Sequence, residues 1–212
     1  MKPARLLVVA LVLAAAAACL QRTVPATSYF RLTTPECHLR AGQLPYALAL
    51  IRLQAGAAYE QQAVLYRPSP YRIAPYGYSR WEATPAEMLT DRLQQFLESC
   101  HLFRSVTQRG ISGRADLMLR GRVTRFEEVD TPEGSFAELA VEFELSCVRG
   151  GAQLWQGRLS VRSPMATRNP EELARAMSAA TATLFDDLSL KLEAAAGNLE
   201  GKCAAPAGKV SK

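Results

Sequence analysis

Three stretches of strict apolar–polar alternation constrain the fold of this chain more than any other feature. Ala115, Leu117, Leu119, Gly121 and Val123 alternate with Asp116, Met118, Arg120, Arg122 and Thr124. Ala137, Leu139, Val141, Phe143, Leu145 and Cys147 alternate with Glu138, Glu142, Glu144 and Ser146. Trp155, Gly157, Leu159 and Val161 alternate with Gln156, Arg158, Ser160 and Arg162. Successive side chains of a strand point to opposite faces, so each stretch reads as a half-buried antiparallel strand. A turn at Thr131-Pro132-Glu133 sets Arg122 opposite Glu142 and Arg120 opposite Glu144. A three-residue loop at Gly150-Gly151-Ala152 sets Arg158 beside Glu144. Such a pair contributes only about 0.2–1 kcal/mol, but a slip of one residue would bury the whole charged set. These Arg and Glu residues therefore read as a solvated sheet face, not as catalytic carboxylates.

Two helices flank this meander. Thr84-Pro85-Ala86-Glu87 is a capping box with Pro at the first helical position, and Leu89, Leu93, Phe96, Leu97 and Cys100 form one apolar face. Asn169-Pro170-Glu171-Glu172 starts a second helix, with Leu173, Met177, Ala180, Leu184, Leu188 and Leu192 on one face and Gly197 as the stop. Shorter strands are expected at Tyr29–Leu32, Leu48–Leu53, Val64–Arg67 and Phe103–Thr107. The expected fold is α+β, an antiparallel sheet with both amphipathic helices packed on one face.

The N-terminus has the form of a secretory leader. Lys2 and Arg5 precede an uncharged run from Leu6 to Ala18. Thirteen helical residues reach about 20 Å, short of the ~30 Å hydrocarbon core, so the run reads as a signal peptide and not a membrane span. Ala17-Ala18-Cys19 fits a lipobox, in which the Cys is acylated and becomes the new N-terminus; Ala16 departs from the Leu usual three residues before the Cys. Two or three acyl chains, at about 0.8 kcal/mol per buried CH₂, anchor a protein stably. Leu20 stands where Asp would mark inner-membrane retention, which favours the outer membrane. The expected organisation is signal peptide 1–18, lipidated tether 19–27, one domain over 28–196 and a flexible tail over 197–212.

The remaining cysteines are Cys37, Cys100, Cys147 and Cys203. An oxidising compartment permits disulfides, and four cysteines allow three full connectivities. Cys100 and Cys147 lie on apolar faces and read as buried thiols, while Cys37 and Cys203 lie near the two ends of the domain, where a bond would close it.

No catalytic constellation is expected. Both histidines follow a cysteine, in Cys37-His38 and Cys100-His101, which is poor chelate spacing for zinc, so neither a metal nor any other cofactor is expected. Neither a Walker loop nor GxGxxG occurs. The net charge of +5 falls to about +3 without Lys2 and Arg5, and the arginines are scattered among glutamates. Nucleic acid, which needs clustered cations, is not an expected partner.

The candidate binding feature is a run of Tyr66, Tyr71, Tyr76, Tyr78 and Trp81 interleaved with Arg67, Arg72 and Arg80. These are side-chain types enriched at interface hot spots. Three prolines, Pro68, Pro70 and Pro75, keep the run out of helix and out of a central strand. Some of its rings are expected to pack over the first helix and sheet edge, others to face a partner or lipid.

The lipobox at Cys19, Tyr29-Phe30-Arg31-Leu32, Leu65-Tyr66-Arg67, Tyr71-Arg72-Ile73, Arg80-Trp81, the Pro85 helix, the link from Leu97 to Val106 and the strand from Ala115 to Gly121 follow one another in an order that resembles a known family. It is that of the PqiC-like auxiliary lipoproteins of ABC-type intermembrane lipid transport systems. The resemblance spans roughly residues 28 to 195; Cys100-His101-Leu102 stands where the family often reads Ser-Gly before Phe103. It implies a non-enzymatic periplasmic subunit on the outer membrane, working beside an MCE-domain protein with an ABC permease and ATPase, and self-assembly into a homo-oligomeric ring. An outer-membrane assembly or secretion-system lipoprotein, of the lipopolysaccharide-insertion or pilotin type, is the competing expectation.

Overall fold

A computed structural model describes residues 25–37, 42–108, 115–197, 199 and 203. The expected leader, Cys19 and most of the expected tether and tail lie outside these residues. The strands are β1 (Ser28–Phe30), β2 (Leu44–Leu50), β3 (Gln54–Ala55), β4 (Ala63–Ser69), β5 (Arg72–Trp81), β6 (Phe103–Thr107), β7 (Leu117–Thr131), β8 (Gly134–Cys147) and β9 (Gln153–Pro164). The helices are α1 (Pro85–Cys100) and α2 (Pro170–Ala196). The class is α+β, as expected, and the sheet is curled and mixed rather than wholly antiparallel.

β7 is the spine. Along one edge it pairs antiparallel with β8, and β8 with β9, which is the meander written in the alternation. Along its other edge it receives three strands in parallel: β2 at Leu117–Leu119, β3 at Arg122–Val123 and β4 at Glu128–Val129. The sheet thus forks, with β6 beside β2 at one end and β5 then β1 beyond β4 at the other. Parallel neighbours need long crossovers, and such partners leave no mark in local periodicity.

Arg120 faces Glu144 and Arg122 faces Glu142, as the charges required. Arg158 is opposite Glu142, however, and Gln156 takes the place beside Glu144. The loop between β8 and β9 is longer than three residues, and the register slips between Leu145 and Ser146. A second irregularity, between Val123 and Arg125, inserts one residue into β7 opposite β8. Side-chain parity flips there, so Phe126 enters the core and Glu128 follows it onto the same face.

The core lies between this face and the helices. The capping box of α1 is formed, with Thr84 accepting from the Glu87 N–H and Glu87 accepting from the Thr84 N–H. Asn169 caps α2 through the Glu172 N–H. Leu89, Leu93, Phe96 and Leu97 of α1 and Leu173, Met177, Leu184, Leu188 and Leu192 of α2 are all buried in one cluster with the sheet. Phe96 and Phe185 meet at 5.6 Å between ring centroids and join the helices. α1 ends at His101, whose backbone is left-handed (φ 53°).

The cysteines correct both the reading of Cys100 and Cys147 as free thiols and that of a bond between Cys37 and Cys203 closing the domain. Cys37 bonds to Cys100, tying the segment after β1 to the end of α1. Cys147 bonds to Cys203, and Leu199 is buried, so residues beyond α2 are fastened to the end of β8. The apolar faces at Cys100 and Cys147 were real, but each sulfur has a covalent partner distant in sequence. With its thiol so consumed, neither Cys37 nor Cys100 has a thiolate to offer a metal.

Candidate interaction surface

The aromatic–arginine run is two strands. β4 and β5 form a hairpin that turns at Pro70-Tyr71, with Ser69 opposite Arg72. Pro75 stands opposite Leu65, and the ladder loses register between Tyr66 and Ser69, around Pro68. Prolines are accommodated in strands at such irregularities. β5 also pairs with β1, so the run lies within the sheet, one strand from its edge, rather than in a loop over it.

The structure divides the eight residues. Trp81 is 1% exposed and stands edge-on to Phe126, centroids 5.1 Å apart, so it is a core residue. Tyr66 packs on Tyr76 at 4.9 Å. Arg67 bonds to Glu127 at 2.7–2.8 Å, and Arg80 donates to the carbonyls of Tyr76, Gly77 and Ser79. Tyr71 is 99% exposed and Tyr78 49%, and Arg72 is exposed with them. Ile73 (40%) and Tyr29 of β1 (66%) join the exposed set.

Two adjacent acids behind the hairpin were missed by reading the sequence. The side chains of Glu127 and Glu128 are fully buried, on opposite faces of β7. Glu127 is held by Arg67, with Arg125 at 3.8 Å. Burial, then the charge of Glu127, pushes the Tyr59 hydroxyl above its ordinary value, so it stays protonated. Glu128 accepts from the Tyr76 hydroxyl at 2.7 Å and from Arg168 at 3.1 Å. Arg168 also pairs with Asp130 and lies 5.4 Å from the centre of the Tyr66 ring. Burial pushes the Glu128 carboxyl above the usual carboxylate range, while the Tyr76 hydrogen bond pulls the other way. The Tyr76 hydroxyl is pushed well up by burial and by Glu128. The signals available were two consecutive acids where an alternating strand runs on, and an arginine immediately before a helix cap.

These acids are held by arginines, and each serves to seat the hairpin against β7. On the outer face, Arg67, Arg125 and Arg162, with Asp130 and Glu138 among them, rim a groove of about 480 Å³ between the tip of the β4–β5 hairpin and the β7–β8 turn. A second depression of about 490 Å³ lies over Arg120, Arg122, Glu142 and Glu144. Among the described residues no group of three or more His, Cys, Asp or Glu side chains is placed to hold a metal ion. Among them, too, no helix is long and apolar enough to cross a membrane.

Fold and surface together define a small α+β domain whose exposed aromatic side chains, Tyr29, Tyr71 and Tyr78, gather on one hairpin and the neighbouring edge strand. The chain belongs to the family of ABC-type transport auxiliary lipoprotein components, which matches residues 30–189. Its structure is similar to that of protein XCC0632 from Xanthomonas campestris, with a TM-score of 0.76 and 17% identity over 82% of this chain and 99% of that one. An uncharacterized protein matches with a TM-score of 0.64 and 13% identity over 79% of this chain and 99% of that one. The hypothetical protein CT253 from Chlamydia trachomatis matches with 0.54 and 10% over 72% and 98%. At these identities the likeness is one of fold. A search among curated proteins finds no match.

Proposed function

We propose that this chain is a non-catalytic, outer-membrane-anchored periplasmic subunit of an ABC-type system that carries phospholipid between membranes, working beside an MCE-domain protein. The observation that carries the reading is family membership across residues 30–189, which makes it a transport auxiliary component. The basic, short leader and Cys19 support export and acylation, and Leu20 supports the outer membrane. The disulfides Cys37–Cys100 and Cys147–Cys203 suit an oxidising compartment. Each buried acid is paired with an arginine that seats the hairpin or the start of α2, which favours a structural part for them over catalysis.

The protein partner contacts the β1–β5 edge. Tyr29 lies opposite Arg80 in the ladder, and Tyr78 precedes that pair. Assembly of copies into a ring would use the outer edge of β9, which pairs only with β8 among the described residues. The test is affinity purification of the lipidated protein from solubilised membranes. It should recover an MCE-domain protein with its permease and ATPase, and Tyr29→Ala with Tyr78→Ala should reduce that recovery about tenfold, the loss of one modest hot spot. Recovery of lipopolysaccharide-insertion or secretion subunits in their place would overturn the reading.

A further inference from the structure

The direction of β1 has a consequence for how the domain meets its membrane. β1 runs parallel to β5, with Ser28 opposite Ser79 and Phe30 opposite Trp81. The chain preceding Ser28 therefore enters from the side of the β4–β5 tip. From Ser79 back to Arg72 is seven residues, or about 23 Å of strand. The eight residues between Cys19 and Ser28 span at most about 28 Å. A tether of that length is long enough, when extended, to let an acyl chain on Cys19 come level with that tip.

The tip has the composition of a membrane-interface contact. Tyr71, 99% exposed, projects from the turn, with Pro70 and Arg72 beside it and Ile73 40% exposed. No acidic residue occurs between Glu60 and Glu82, while Arg67, Arg72 and Arg80 all do. β4 runs parallel to β7, with Arg67 opposite Val129, which brings the Thr131–Gly134 turn to the same end. Of the acids there, Asp130 is paired with Arg168 and Glu138 with Arg162, and Glu133 is exposed in the β7–β8 turn. Tyrosine is favoured at headgroup depth, and arginine is attracted to anionic lipid.

We propose that the β4–β5 tip, through Tyr71, Arg72 and Ile73, rests in the headgroup layer of the bilayer that holds the anchor. Three exposed side chains do not hold a protein on a membrane; they orient a domain already tethered there. The acylated Cys19 supplies the tether and the tip sets which end faces the lipid. The β1–β5 edge and the outer sheet face then stand away from the surface, open to protein partners. This inference rests on the anchored reading above.

The experiment uses the full-length acylated protein in vesicles of phosphatidylethanolamine and phosphatidylglycerol, with and without brominated acyl chains. A Tyr71→Trp variant is compared with Leu190→Trp on α2, a second exposed apolar position (48% exposed). Wild-type protein gives the baseline from Trp81 and Trp155, and circular dichroism checks that both variants fold. The tryptophan at position 71 should be quenched about twofold more strongly than that at 190, as expected of an aromatic ring at interface depth. Co-flotation of the protein with equal quenching at the two positions overturns the inference and leaves the anchor standing. Quenching equal at both sites with protection of position 71 only on adding a protein partner assigns the tip to that partner, and overturns it too. Failure of the acylated-protein preparation to float with vesicles overturns the anchor and the inference together.

Discussion

The hydroxyl of Tyr76 donates to Oε2 of Glu128 at 2.7 Å, holding β5 to a carboxylate that solvent does not reach. Arg168, from the segment before α2, closes the same carboxylate from the other side. One buried acid therefore ties together the hairpin, the spine of the sheet and the start of a helix.

That acid gives a pH dependence of definite sign. Burial raises the folded pKa of Glu128 above the value near 4.3 of an unfolded chain. Between these two values the native state binds more protons than the unfolded one. The stabilisation is present in full below the unfolded pKa and is lost as pH rises through the folded pKa. Glu128→Gln, which does not titrate, removes this slope. In urea unfolding across pH 4 to 8, the stability gap between wild type and the variant should shift in favour of the variant as pH rises. A gap that stays constant would contradict the role given to burial.

Trp81 was a candidate for partner contact by residue type, yet it is buried against Phe126. Trp81→Ala should cost about 3–5 kcal/mol, the range for deleting a large core aromatic. Tyr71→Ala, at a fully exposed position, should change stability by less than about 0.5 kcal/mol. Chemical denaturation of the two variants separates the core half of the run from its surface half.

Gly121 and Gly77 should answer alanine in opposite ways. A Cβ on Gly121 would lie 2.8 Å from Leu53 and 2.9 Å from Phe143, with the Glu142 carbonyl at 3.1 Å. Gly121→Ala should therefore destabilise by about 1–3 kcal/mol through overpacking. Nothing stands within 4 Å of a Cβ on Gly77. Gly77→Ala should be neutral, or stabilise slightly by restricting the unfolded chain. Thermal unfolding of both reads the difference.

The two disulfides close long loops, with sequence separations of 63 and 56. Removing either pair, as Cys37→Ser with Cys100→Ser or Cys147→Ser with Cys203→Ser, should cost about 2–5 kcal/mol. Unfolding with and without reductant gives the same comparison in the wild type. The second pair has an additional readout: its loss should raise hydrogen exchange around Leu199, which the bond keeps near the core.

What the sequence disclosed follows from how locally each feature is encoded. The β7–β8–β9 meander and the Arg120–Glu144 and Arg122–Glu142 pairs were legible, because alternation and charge are written along neighbouring strands. So were both helix starts, where capping takes only four residues. The fork of the sheet was not, since β2, β3 and β4 join β7 in parallel across long crossovers. The bulge after Val123 ended the legible alternation and concealed Phe126, Glu127 and Glu128 beyond it. Prolines made β5 look like a loop, although register shifts let a strand hold them. In the candidate surface, residue type singled out Tyr71 and Tyr78 and Trp81 alike; only burial distinguishes the exposed rings from the packed one.

The account turns on Cys19, and intact-mass analysis with fragmentation of the mature protein purified from membranes reads its state directly. The prediction is a chain that begins at Cys19 and carries a diacylglyceryl group, with or without a third acyl chain on its amine. A mature chain starting elsewhere, or an unmodified Cys19 on protein recovered in the soluble fraction, would contradict it.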